Sequence, residues 1–143
     1  MNVEKLDVNK FSDVIKCISI GRLEQNMIDI ITGHRPELAS ILRPSEITLW
    51  ENRIEYTGKH KDNFIDVADY YRYLESIPSI ISEPDYIGVP PDNQSIQFIK
   101  RYDHNIVVAV RISANGKLSY RTMYPVTESQ INDYQRKDRL WQV

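Results

Sequence analysis

Cysteine is nearly absent from these 143 residues. Cys17 stands alone, which excludes an intramolecular disulfide and any zinc site built on Cys/His spacing. No apolar run approaches the roughly 20 residues that a membrane-spanning helix needs. The first residues, "MNVEKLDVNKF", hold no hydrophobic stretch of the kind a secretory signal requires. A cytoplasmic location with no membrane partner is therefore expected. GxGxxG, the P-loop and GxSxG are missing too, so dinucleotide binding, P-loop phosphate binding and α/β-hydrolase chemistry have no support. There is no internal repeat and no low-complexity segment, and no cofactor or metal is expected.

What is present suits one globular domain. The chain is 41% apolar and 27% charged, enough to bury a core without disulfide or metal staples. Residues 1–16 have weak periodicity and read as an N-terminal extension to a domain over 17–143. The net charge of −2 hides a segregation of sign. Residues 51–98 carry 4 basic and 9 acidic side chains, and residues 99–143 carry 8 basic and 4 acidic. A local positive field of that kind attracts anions such as phosphates.

Periodicity and punctuation predict the elements. "CISIGRL" at 17–23 reads as a short strand and "LEQNMIDIIT" at 23–32 as a helix stopped by Gly33. A short helix is expected between Pro36 and Pro44, and "ITLW" at 47–50 is β-like. "NFIDVADYYRYLESI" carries Val67, Tyr70, Tyr71, Leu74 and Ile77 as one helical stripe that Pro78 ends or kinks. Strands then run 95–102, 105–113 and 117–124, separated by "DH" and "ANG" turns, so they pair antiparallel. A last helix over 127–141 opens with Thr127 and Gln130 at capping-box spacing. Helices, then strands, then a helix indicate an α+β domain with helices on one face of an antiparallel sheet.

In the central strand Ile106, Val108, Val110 and Ile112 share one face, and Val107, Ala109 and Arg111 share the other. Arg111 is then expected on the face that the helices leave uncovered. Lys100 and Arg101 end the strand before it. Ser119, Arg121 and Met123 alternate with Tyr120, Thr122 and Tyr124 on the strand after it, and only a bulge lets members of both sets face one way. Lys, Arg, Thr and Tyr on a sheet can bind a phosphodiester, because Arg offers a planar fork of donors and Lys a compact charge. With a histidine nearby, such a set can cleave RNA without metal: a base takes the proton of the 2′-OH, cations stabilise the phosphoryl oxygens, and an acid protonates the departing 5′-oxygen. His suits either proton transfer. His34, His60 and His104 are the candidates, and His60 stands between Lys59 and Lys61. Tyr70, Tyr71 and Tyr73 read as helix packing.

Four segments in order, "ISIGRLEQNMIDIIT", "ITLWENRIEYTGKH", "YYRYLESIPSIISEPDYIGV" and the strands ending "SYRTMYPV", resemble the phage-encoded nuclease-like domains of the barnase–EndoU–colicin–RelE class. The resemblance spans residues 17–141. It implies helices packed on a four-stranded antiparallel sheet, and a metal-independent endoribonuclease acting as a toxin or as an effector of a phage or mobile element. By position, His60 matches the family histidine, Lys100 the basic residue of the first strand, Arg111 the cation of the central strand, and Thr122 with Tyr124 the hydroxyl-and-aromatic pair. These five form the expected catalytic set. Lys59, Lys61, Arg101, Tyr120 and Arg121 form the expected RNA-binding set, with transfer RNA among the expected substrates. The competing reading is a non-catalytic protein of phage type that binds a host or antitoxin protein and modulates it.

Overall fold

Alternation of apolar side chains, cut by turns rich in Asn, Asp and Gly, produces the three strands where the sequence puts them. The computed structural model describes residues 4–57 and 67–143. His60, Lys59 and Lys61 lie outside the described residues. In chain order the elements are β1 (Cys17–Leu23), α1 (Gln25–His34), β2 (Ser45–Trp50), α2 (Glu51–Thr57), α3 (Val67–Glu75), α4 (Ile77–Ser82), β3 (Tyr86–Gly88), β4 (Ser95–Arg101), β5 (Asn105–Ile112), β6 (Leu118–Val126), α5 (Glu128–Arg136) and β7 (Leu140–Gln142). Turns of 3₁₀ helix occupy Val8–Lys10 and Pro36–Ser40, so the helix expected after Pro36 is a single tight turn.

The α+β class is as expected, but the sheet is larger than four strands and not wholly antiparallel. Among the described residues it has seven strands in the order β1-β2-β6-β5-β4-β3-β7. β2 and β6 pair in parallel through Ile47↔Leu118 and Thr48↔Ser119, whereas every other neighbouring pair is antiparallel. The meander β4-β5-β6 forms the centre, with Phe98 opposite Val108 and Val108 opposite Met123.

The two faces carry two cores. On the first, Ile96, Phe98, Ile106, Val108, Val110, Leu118, Tyr120 and Met123 are buried together with Met27, Ile28 and Ile31 of α1 and Ile77, Ile80 and Ile81 of α4. Burying an aliphatic side chain of this size stabilises by about 1.5–3 kcal/mol, so this face dominates the fold. α4 approaches β1 so closely that a Cβ on Gly21 would sit 2.8 Å from Ile81 Cγ2. Leu6 joins the same core, and its N–H donates to the Glu75 carbonyl at 2.9 Å.

The second face holds a smaller cluster of Ile99, Val107, Val126, Ile131 and Leu140, flanked by Tyr86, Tyr124 and Tyr134. Ile131 comes from α5, so helices lie on both faces and not on one. α5 opens with the expected capping box: Gln130 N–H donates to Thr127 Oγ1 at 3.1 Å, and Thr127 N–H to Gln130 Oε1 at 2.9 Å. It stops earlier than the sequence suggested. Asp138 adopts the left-handed conformation at φ 55°, its N–H bonds the Gln135 carbonyl, and Arg139 N–H bonds that of Tyr134. Those two bonds close the helix with a Schellman turn. Leu140 and Trp141, expected as helix, are released and with Gln142 pair with Gly88, Ile87 and Tyr86 as the outermost strand.

The tyrosine-rich helix also ends short of its predicted limit. Tyr70, Tyr73 and Leu74 are buried, whereas Tyr71 is exposed. After Glu75 the chain restarts as α4, with Pro78 in its first turn, the position where a missing N–H costs nothing.

Candidate functional site

On the second face α5 packs over one end of the strands, where Ile131 meets the cluster of Ile99 of β4, Val107 of β5, Val126 of β6 and Leu140 of β7. Over the other half of the strands' length the face stays open, and a cleft of ≈ 750 Å³ forms there, lined by Lys16, Trp50, Glu51, Asn52, Arg53, Gln94, Arg111, Ser119, Tyr120 and Arg121. Strand parity explains the membership. Arg111 pairs with Ser95 on one side and Ser119 on the other, so all three point away from the main core. Thr48 pairs with Ser119, which places Thr48, and with it Trp50 two residues on, toward the same side.

A bulge completes the arrangement. Val110 pairs with Tyr120 but Ala109 pairs with Thr122, so Arg121 is the extra residue of β6. A bulge leaves its additional residue out of the ladder. The Arg121 carbonyl accepts two hydrogen bonds from Arg53 instead, from Nε at 3.0 Å and Nη2 at 2.6 Å. That fork fastens α2 alongside β6, where β2 has left it. The bulge also turns Thr122 and Tyr124 onto the same face as Ser119 and Arg111.

The cleft is rich in cations. Lys16 Nζ lies 3.7 Å from Glu51 Oε1. Arg111 and Arg121 are exposed, and no carboxylate among the described residues pairs with either. Behind them runs a polar floor of Ser95, Gln97 and Thr122, all buried. Thr122 Oγ1 has no hydrogen-bond partner among the described residues. Gln97 Nε2 donates to Tyr124 Oη at 2.9 Å. Burial pushes the Tyr124 phenol above its ordinary titration range, although the Gln97 hydrogen bond and the charges of Arg139 and Arg121 pull the other way. Tyr124 is therefore a neutral phenol at physiological pH.

The structure gathers some of the expected residues and separates others. Arg111 and Arg121 share the cleft, and Thr122 lies in the floor of the same face. Tyr124 stands on that face nearer α5, where it lines a second hollow of ≈ 680 Å³ with Asp103, His104, Asn105 and Thr127. Lys100 shares parity with Phe98 and so faces the other way, where its Nζ donates to the Glu83 carbonyl at 2.6 Å. Along β4 it is five residues from Ser95, the partner of Arg111, or about 17 Å. Arg101 pairs with Asn105 at that same far end. Its guanidinium is held by Glu128, with Nη1 to Oε1 at 2.9 Å, and by the Tyr86 hydroxyl at 2.8 Å. Tyr120 borders the cleft, but only 1% of it is accessible, its ring being part of the main core. Of the other histidines, His34 stacks on Trp141 with ring centroids 4.5 Å apart, and His104 lines the second hollow.

Lys16, Trp50, Glu51, Arg53 and Ser119 are cleft residues that sequence reasoning passed over. Three of them were within reach of it, since "ITLWENR" places Trp50 at a strand end and Glu51 and Arg53 in the first turn of a helix.

No curated protein and no solved structure matches the chain. A family model described as phage-Barnase-EndoU-ColicinE5/D-RelE like nuclease 3 matches residues 25–133. That span takes in α1, α2, the whole central meander and every cleft residue except Lys16, and the chain belongs to this nuclease-like family.

Proposed function

We propose that the protein is a metal-independent endoribonuclease in which the cleft holds the scissile phosphate. The observation that carries this reading is the convergence of Arg53, Arg111 and Arg121 on one open hollow, two of them without a carboxylate partner among the described residues. Unpaired guanidinium groups side by side repel one another in the free protein, and an anion relieves that repulsion. A phosphodiester also fits the donor geometry, because guanidinium forks match phosphate oxygens.

In the proposed reaction a base removes the proton of a ribose 2′-OH. The 2′-oxygen attacks the adjacent phosphorus, and the bond to the 5′-oxygen breaks. An acid supplies the proton to that oxygen, leaving a 2′,3′-cyclic phosphate and a 5′-hydroxyl. Arg111 and Arg121 stabilise the added negative charge on the phosphoryl oxygens. Arg53 braces the bulge that presents Arg121. His60 is assigned one proton transfer because imidazole titrates near neutrality, and in sequence it follows the last residue of α2 by three positions. Glu51 is the one carboxylate among the described cleft residues, and it is assigned the other transfer. Thr122 and Tyr124 shape the floor, and Lys59 and Lys61 add charge along the bound strand.

The test is cleavage of total RNA and of purified transfer RNA in the presence of EDTA. Fragments ending in cyclic phosphate, lost in both His60→Ala and Arg111→Gln, are the expected result. Intact RNA at every protein concentration overturns the reading. If His60→Ala keeps the full biological effect and a host protein is recovered in stoichiometric amount, the chain acts by binding a protein.

A further inference from the structure

One side chain in the cleft has no part in holding a phosphate. Trp50, at the end of β2, is 48% exposed, while its neighbour Leu49 is fully buried in the main core. Tryptophan is highly buried on average, and the other one here follows that rule. Trp141 is 7% exposed, lies flat against His34 with the planes 9° apart, and has the Arg35 guanidinium 5.2 Å from its ring centroid. No ring or guanidinium among the described residues stacks on Trp50. Its free aromatic face stands in the same cleft as Lys16, Arg53, Arg111 and Arg121.

A ligand that uses every part of this cleft needs a negative group for the arginines and, within one residue's reach, a planar ring for the indole. A nucleotide has both. An acidic peptide satisfies the arginines and leaves the indole in water. In a duplex the base faces are already stacked on one another, whereas unpaired nucleotides offer them to aromatic side chains. Resting on the nuclease reading of the cleft, we infer that Trp50 is a stacking platform for one base of single-stranded RNA whose adjoining phosphate lies on Arg111 and Arg121. Because every base has a π-face, the platform selects unpaired strands without selecting sequence.

The test measures binding of the full chain to three probes at one fixed salt concentration: a 2′-O-methyl oligonucleotide, which lacks the attacking hydroxyl; the same backbone with abasic sites; and the oligonucleotide as a duplex. Trp50→Ala is expected to weaken the base-bearing single strand by about 5- to 140-fold, the worth of one base–aromatic stack. Trp50→Phe recovers most of that affinity. Trp50→Leu, which keeps apolar bulk without a π-face, does not recover it. The abasic strand binds all four proteins alike, and the duplex binds the wild type more weakly than the single strand. Indole emission is quenched on binding by the wild type and not by Trp50→Phe. On cleavable RNA the loss falls on KM more than on kcat.

If Trp50→Ala and Trp50→Leu bind the base-bearing strand as the wild type does, stacking is overturned and the phosphate reading stands. If the wild type binds no probe, the nuclease reading itself falls and the stacking role falls with it.

Discussion

Arg111→Gln separates what the cleft does for the fold from what it does for a ligand. The Arg111 side chain is exposed at the end of β5, and no carboxylate among the described residues pairs with it. Its contribution to the sheet is made by the backbone, through the pairing with Ser95 and Ser119, which Gln preserves. Removing one of four cations from the cleft also lowers their mutual repulsion. The change in stability is therefore expected within about 0.5 kcal/mol either way, a shift in Tm of about 1–2 °C for a chain of this size. The effect on catalysis is of another order. A hydrogen bond to a charged group contributes about 1.5–3 kcal/mol, and each 1.36 kcal/mol is a factor of ten in rate. kcat/KM should fall roughly 10- to 150-fold. Loss of one phosphate contact should also lower the slope of log affinity against log salt by about 0.7 for a single strand. Continuous cleavage of a fluorophore–quencher RNA over a salt series, with thermal melts of both proteins, reads all three quantities. A variant with kcat/KM within twofold of wild type and the same salt slope refutes the assignment of the phosphate to this cleft. A melting point lower by more than about 5 °C refutes the view of Arg111 as a side chain without a structural partner.

Lys100→Met should keep wild-type kcat/KM while losing about 1 kcal/mol of stability, the worth of its bond to the Glu83 carbonyl, as parallel activity and urea-melt measurements would read; a large loss of activity at wild-type stability would return Lys100 to the site. Thr127→Ala removes one arm of the capping box and should cost about 0.5–2 kcal/mol, seen as a lower urea midpoint with an unchanged m-value. The Trp141 indole, which donates to Asp138, and the charges of His34 and Arg35 hold that carboxyl below the ordinary carboxylate range. A depressed folded pKa gives stability that is present above the unfolded value near 3.9 and lost as pH falls through the lower folded value. Melts from pH 5 to pH 2 should therefore show a shallower acid-side decline for Asp138→Asn than for wild type, and identical declines would remove Asp138 from the acid response.

The central meander was legible because its signals are local. β4, β5 and β6 begin and end within two residues of their expected limits, since alternation sets the faces and the turn residues set the register. Parity alone also placed Arg111 opposite the main core. The same parity separates Lys100 from Arg111, because Phe98 and Lys100 share a face; proximity in the hairpin suggested a nearness that the pleat denies. β3 and β7 have only three residues each, too few for a period to declare itself, and their pairing is fixed by partners distant in sequence. The parallel contact of β2 with β6 likewise joins segments about 70 residues apart. No local signal marks it, yet it brings Trp50 and α2 to the cleft. Within the positive C-terminal block two groups of cations stand apart. Arg101, Arg136 and Lys137 are matched to Glu128 or Asp133, and Arg111 and Arg121 are the members turned toward the open half of the sheet.

The single surplus residue in β6 can be exchanged or lost without changing which way its neighbours face. Exchange of Arg121 for another amino acid leaves the count of residues, and hence the facing of everything downstream, as it was. Excision of that residue would straighten the ladder and leave 122–126 facing as they do, because Thr122 would then follow Tyr120 directly, opposite Ala109 and Val110. Met123 would stay opposite Val108, and the loss would fall on the carbonyl that receives the Arg53 fork. A single-codon deletion of Arg121 should therefore leave a folded protein whose cleft lacks one cation and the anchor of α2.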